Sequence, residues 1–296
     1  MKLLGEYING NYTVKIFNDG TKIRETEGDD FIPSFPESMD ISITDRCDNN
    51  CAFCYAGATK DGKHGDIMGA KFIDTLKPFT EVALNGNDIS QPDLFGFLQK
   101  LKDKNIIASM TFNQVHFMRY KNTIKALVKD DLIKGLGISL IDPSNEFIAE
   151  VKKFPNAVIH IINGITTIEQ VEKLYDNDLK VLILGYKEIG RGKDYYCELV
   201  EYNKDIFYDE IETIIQKFKV VSFDNLALAQ LELKRVMSKE QWQEFYMGND
   251  GSFTLYVDIP KGYFARSSVS TNKYSILDNI DEMFKIIQNE NLGMAI

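Results

Sequence analysis

The chain has 296 residues, 44% hydrophobic and 26% charged, with a formal net charge of −10. That mixture buries a sizeable core, so a disordered or fibrous chain is excluded, and the acidic balance disfavours a protein that grips nucleic-acid phosphates. No apolar run approaches the ~20 residues of a membrane span, and the opening MKLLGEYING reaches Glu6 and Asn9 too early for a signal-peptide core, so a soluble cytoplasmic protein is expected.

The first thirty residues alternate polar and apolar around two turn signals, Asn9-Gly10 and Asp19-Gly20, which predicts an N-terminal β hairpin appendage over residues 1–36. From Met39 onward strands and helices alternate. Strands are expected over 39–44, 81–84, 106–112, 136–141, 157–162 and 180–184. The helices between them are expected over 70–79, 92–104, 115–129, 145–154 and 168–176. Six such units imply an α/β fold with a parallel sheet and crossover helices, either an open barrel or doubly wound, with ligands at the carboxyl ends of the strands. The inner strands are apolar at successive positions, as strands covered on both faces would be. Residues 191–296 form a less regular α+β extension. Its helices are expected over 206–218, 226–237, 240–246 and 279–288, with a strand over 220–223 and a hairpin of 252–258 with 263–267. The unit boundaries are thus 1–36, 37–190 and 191–296, with the last covering the site.

Cysteine usage carries the chemistry. Three of the four cysteines crowd into Thr44-Asp45-Arg46-Cys47-Asp48-Asn49-Asn50-Cys51-Ala52-Phe53-Cys54-Tyr55, while Cys197 stands apart. A disulfide framework would disperse its cysteines, so Cys47, Cys51 and Cys54 read as metal ligands. Three thiolates suit an iron–sulfur cluster with one iron left open for an exogenous ligand. The alternative is a Cys3His zinc site completed by His64, which would make the protein a metal-stabilised binding module without enzymatic activity.

The CxxxCxxC spacing, just after the first strand of a β/α array and with Phe53 and Tyr55 flanking Cys54, resembles the radical S-adenosylmethionine (radical SAM) superfamily over residues 39–186. The resemblance implies a partial (β/α)6 barrel in which the three cysteines hold one [4Fe–4S] cluster and the open iron chelates S-adenosyl-L-methionine (SAM). It implies an external flavodoxin- or ferredoxin-type electron donor, reductive cleavage of SAM, and a 5′-deoxyadenosyl radical that takes hydrogen from a small-molecule or peptide substrate. A glycyl-radical activase working on a protein partner shares the motif and stays open as an alternative.

Family positions carry over where the residues match. Phe53 and Tyr55 are expected to shield the cluster near the adenine. Asn85, Gly86, Asn87 and Asp88 stand where the family has a Gly-Gly-Glu segment for the SAM amino group, but the second glycine and the glutamate are altered. Asn113 and Ser139 occupy places of polar SAM contacts; the competing reading makes Asn113 a helix cap and Ser139 a small strand residue. Lys187 and Arg191, in the glycine-rich loop after the sixth strand, are candidates to bind a carboxylate or phosphate, or else form a solvated basic turn. The segment 57–65 (GATKDGKHG) reads as part of the same rim and resembles a loop of some uncharacterised radical SAM proteins. His116 and His160 read as structural, and Cys197 as a buried or half-buried filler, which limits the chain to one cluster. No Ser/His/Asp arrangement, P-loop or dinucleotide fingerprint is present, and no catalytic residue is assigned.

Overall fold

The computed structural model describes residues 1–85 and 89–293. At the N-terminus β1 (Leu3–Asn9), β2 (Tyr12–Phe17) and β3 (Lys22–Thr26) form a three-stranded antiparallel sheet, one strand more than the expected hairpin. Gly10 and Gly20 turn it at φ of 62° and 91°, the left-handed region that glycine enters without penalty.

A second sheet begins with β4 (Ser38–Ser42), then β5 (Glu81–Asn85), α1 (Leu94–Asp103), β6 (Ile107–Asn113) and α2 (Gln114–Lys129). It continues with β7 (Gly135–Ser139), α3 (Asn145–Val151), β8 (Ala157–Ile162), α4 (Ile168–Glu172) and β9 (Lys180–Leu184). The later elements are α5 (Arg191–Tyr195), α6 (Glu198–Gln216), β10 (Val220–Phe223), α7 (Asn225–Gln230) and α8 (Lys239–Phe245), then β11 (Thr254–Asp258), β12 (Tyr263–Ala265), β13 (Tyr274–Ser275) and α9 (Ile280–Asn291). All six expected strands of the array are present as consecutive parallel neighbours.

The ten-stranded order is β10-β9-β8-β7-β6-β5-β4-β11-β12-β13, parallel from β10 through β11. From β4 to β10 the order never reverses, so there is no switch point of the doubly wound kind. One face packs the helices. Ile41, Val82, Leu84, Phe112, Ile138, Ile159, Ile161, Val181 and Ile183 are buried there in one cluster with Phe97, Phe117, Phe147, Phe207 and Ile211 of the helices. Alternate residues such as Ser109, Thr111, Val158, His160 and Leu182 are half-buried on the other face. The strands are therefore not covered equally on both faces, since the helices pack against the first. Asn225, just after β10, donates to the Gly248 carbonyl (3.2 Å) and to Asp250 (2.7 Å), ahead of β11, and so ties the two flanks of the sheet together.

Several boundaries differ from those expected, each for a local reason. Residues 70–79 hold only a 3-10 turn, Lys71–Thr75, because Pro78 disfavours helix at the residue before it. Helix α6 starts at Glu198, well ahead of residue 206; Glu198 and Glu201 in its first turn complement the positive end of the helix. Between 226 and 237 the helix breaks at Glu232 (φ 45°) into α7 and a 3-10 turn, Leu233–Arg235. Cys197, expected as a buried filler, is exposed at the N-cap of α6. Among the described residues no helix is long and apolar enough to cross a membrane.

Candidate functional site

The cysteine loop leaves β4 at its carboxyl end and returns on itself. Its outgoing and returning arms are stitched by Asp45 N to Lys63 O (2.9 Å), Cys47 N to Thr59 O (2.8 Å) and Thr59 N to Asp45 O (3.1 Å). Residues 57–65 are thus the returning arm. Gly62 is needed there, since a Cβ on it would lie 2.0 Å from the Asp45 carbonyl oxygen.

Cys47, Cys51 and Cys54 line one cavity of about 140 Å³ together with Asn49, Phe53, Tyr55, Asn113, Ser139, Leu184, Tyr186, Lys187 and Arg191. The strand ends of β6, β7, β8 and β9 supply the far wall, so the loop covers the carboxyl edge of the sheet. Burial pushes the Cys47 and Cys51 thiols above the ordinary value, and neighbouring cysteines add to the shift. Buried thiols stay protonated until a metal takes the proton's place.

Three clamps hold the loop. On one side α2 reaches Asp48: His116 Nε2 donates to Oδ1 (2.5 Å) and Arg119 Nη1 to Oδ2 (2.7 Å), while Asn49 donates to His116 Nδ1 (3.4 Å). Hydrogen bonds from His116 first and Arg119 next hold the Asp48 carboxyl down to about 2. On a second side Arg191 donates Nε to the Cys51 carbonyl (2.9 Å), Nη2 to the Ala58 carbonyl (3.0 Å) and its backbone N to the Cys54 carbonyl (3.1 Å). Gly190, at φ 56°, lets that approach happen, because a Cβ would sit 2.2 Å from the Tyr55 carbonyl oxygen. On a third side Lys261, in the turn between β11 and β12, pairs with Asp45 (3.0 Å) and Asp258 (3.1 Å).

The expected site residues separate accordingly. Phe53, Tyr55, Asn113, Ser139, Lys187 and Arg191 all reach the cysteine cavity. Arg191 spends its guanidinium on carbonyls of the loop, so it positions the cysteines instead of offering a free anion site. Asn113 caps α2 by accepting from Val115 N (2.9 Å) and still lines the cavity, so both of its readings hold. Lys187 donates to Ser268 Oγ (2.9 Å) and lies 4.2 Å from the centre of the Tyr55 ring. Asn85 closes β5, where its carbonyl accepts from Ile43 N (3.2 Å), but it does not line the cavity. Gly86, Asn87 and Asp88 lie outside the described residues.

The sequence reading missed the Asp48 clasp and the backbone contact of Gly190. A glycine flanked by Arg191 in a loop after a strand was the available signal for the second; nothing local signals the first.

His64 does not join the cysteines. Its Nδ1 bonds Thr44 Oγ1 (2.9 Å), and the residue is outside the cavity wall. Among the described residues no three His, Cys, Asp or Glu side chains converge tightly enough for a single metal ion. A multi-iron cluster spreads its thiolates more widely than one ion does, and three free thiols on one cavity are the soft donor set it selects.

No protein-family model matches the chain, and no curated protein matches it significantly.

Proposed function

We propose that the chain is a radical SAM enzyme with one [4Fe–4S] cluster, built on a partial (β/α) barrel whose open end the cysteine loop covers. The observation that carries this reading is the common cavity of Cys47, Cys51 and Cys54 at the carboxyl ends of an unreversed parallel array, where ligands of such folds sit. When bound, a reduced cluster of this kind supplies the electron that splits SAM into methionine and a hydrogen-abstracting 5′-deoxyadenosyl radical.

The chain's own residues do the rest. The three thiolates hold the cluster, and Arg191, Asp48 and Asp45 fix the loop that presents them. Asn113 keeps its amide nitrogen for a polar cofactor contact while its oxygen caps α2, and Ser139 offers a hydroxyl on the same wall. Phe53, wedged edge-on against Tyr195 (5.9 Å between ring centres), and Tyr55 keep water from the cavity. Lys187 supplies the ammonium for a carboxylate. The exposed Cys197 is separate from the cavity wall, which keeps the count at one cluster.

The test is anaerobic reconstitution with iron and sulfide, then an assay for 5′-deoxyadenosine from SAM under a strong reductant. About four irons per chain and reductant-dependent 5′-deoxyadenosine are expected. Failure to take up iron, or no SAM cleavage by a loaded protein, overturns the proposal.

A further inference from the structure

We propose that the groove between α2 and the end of α3 docks an acidic electron-donor protein, which reaches the cysteine site from the α2 side. The inference rests on the radical SAM reading for the need of a donor, and on the groove alone for the acidity of the partner.

The groove has a volume of about 480 Å³. Lys121, Lys125 and Lys129 line it from α2 at i, i+4 and i+8, one above the other on one helix face, and Lys153 lines it from beyond the end of α3. Its lining holds one carboxylate, Glu150, which is already taken by Lys153 (2.7 Å) and Lys121 (3.8 Å). Lys125 and Lys129 are exposed and have no hydrogen bond or ion pair among the described residues. Like charges four apart on a helix repel, so α2 carries this row at a cost to itself.

Four lysines against one glutamate leave a surplus of positive charge on a chain whose net charge is −10. At a rise of 1.5 Å per residue the row from Lys121 to Lys129 covers about 12 Å, too long for a single phosphate or carboxylate. It matches a strip of carboxylates on a protein surface. Val128 and Phe154 give the groove apolar contact area between the charges. A long polyanion such as a nucleic acid would meet the acidic remainder of the chain beyond the groove, whereas a small acidic protein need touch only this face.

The helix that carries the row also holds the cysteine loop. His116 and Arg119 of α2 grip Asp48, the neighbour of Cys47, and Lys121 follows Arg119 by about 3 Å of rise. A donor seated at that end of the groove therefore stands beside the loop. The side of the loop held by Arg191 offers the opposite charge: there Tyr195 packs on Phe53, and residues 194–212 carry seven acidic side chains against one lysine. An acidic partner is repelled from that side and attracted to α2. One electron passes from the reduced donor to the oxidised centre, and no bond forms or breaks.

The experiment titrates the full-length protein, unloaded and reconstituted, with an acidic flavodoxin by calorimetry at low and at high salt, with basic cytochrome c and a short single-stranded DNA as controls. Flavodoxin should bind saturably, more tightly than either control, and lose about tenfold or more in affinity at high salt. Lys125→Glu combined with Lys129→Glu should weaken binding by about tenfold or more at low salt and slow reduction of the loaded protein by flavodoxin, with reduction by dithionite unchanged. The same reversal at Lys234 and Lys239, exposed on the flank of α7 and α8, should change little. No saturable flavodoxin binding, equal binding of cytochrome c or DNA, wild-type affinity in the groove variant, or an equal loss in the Lys234 and Lys239 variant overturns the proposal. If the groove variant does not fold, the salt dependence and the two controls on the wild type still decide. The titration of unloaded protein needs no cluster and the SAM assay takes a chemical reductant, so SAM cleavage without flavodoxin binding refutes the docking surface alone, and flavodoxin binding without SAM cleavage refutes the enzymatic reading alone.

Discussion

The two ends of the parallel array hold unequal cavities, and the larger one is at the end away from the cysteines. At the amino ends of the strands a cavity of about 540 Å³ is walled by Phe17, Asn18 and Asp19 of the small sheet and by the first residues of β5 through β10. Its cations are mostly answered: Lys134 by Asp131 (2.5 Å), Lys219 by Asp178 (3.3 Å), and nearby Lys22 by Glu37 (3.1 Å) and Glu81 (2.5 Å). At the carboxyl ends the space is about 140 Å³, yet it gathers three free thiols, three aromatic rings and polar groups that still have bonding capacity. Volume marks where strands splay and a cap fits loosely; unspent donors and ligands mark where a reaction belongs. The amino end is where the fold is held, and the carboxyl end is the one the proposed reaction would use.

The strongest way to break that division is to remove one ligand from the used end. Cys51→Ala should abolish both iron uptake and SAM cleavage, whereas Cys197→Ala should leave iron content unchanged, as read by elemental analysis after reconstitution. Iron loss in Cys197→Ala would contradict a single site at the carboxyl end.

The matching change at the other end should cost stability without touching the cysteines. Glu37 is fully buried and accepts from Tyr12 Oη (2.6 Å) and from Arg24 Nε (2.8 Å) and Nη2 (3.0 Å), with Lys22 alongside. Glu37→Ala strands the Arg24 guanidinium and leaves Lys22 with Glu81 alone, so a loss of about 3–5 kcal/mol is expected in urea unfolding, with iron uptake per folded molecule retained. Burial opposes ionisation of Glu37, but Lys22 and Arg24 outweigh it and hold the carboxyl below its ordinary value. The stabilisation is therefore complete above the ordinary carboxylate range near ~4.3 and is lost as pH falls through the lowered value. Glu37→Ala should lack that acid limb.

What the sequence disclosed differs between the same two ends. The repeating strands were legible because alternation and turn residues are local, and the CxxxCxxC spacing is local too. The unequal cover of the two faces was not, since apolar runs such as 157–162 look alike whether both faces or one face is packed; only the half-buried His160 and Val158 separate the cases. The clamps on the cysteine loop join Asp48 to positions 68 and 71 residues away, and no periodicity encodes a contact at that separation. Arg191 was legible as functional but not in its task, because a guanidinium suits a carbonyl pair as well as a carboxylate. The N-terminal β appendage was legible from its turns, though as a hairpin without its third strand, while its Lys22–Glu37–Arg24 network was invisible for the same reason as the clasp.

Smaller changes sharpen how firmly the used end is held. Gly190→Ala would put a Cβ 2.2 Å from the Tyr55 carbonyl oxygen and force an L-residue into φ 56°. The strain is worth about 1–3 kcal/mol and falls where Arg191 grips the cysteine loop. Slower or incomplete iron uptake should accompany the lowered unfolding midpoint. A lowered midpoint with normal iron uptake would show that the loop keeps its shape without this contact.

The smallest effect is expected at Asp48, although its carboxyl is held down to about 2 by His116 and then Arg119. The side chain is 52% exposed, so water and salt screen the pair, and Asp48→Asn should cost only about 0–1 kcal/mol at neutral pH. The sign of its pH dependence is fixed by the lowered value: the contribution is present above the ordinary carboxylate range and fades as pH falls toward about 2. The stability difference between wild type and Asp48→Asn should therefore shrink on acidification and on adding salt. A difference that persists at acid pH and high salt would mean that the clasp works by shape, through the packed His116 ring, and not by charge.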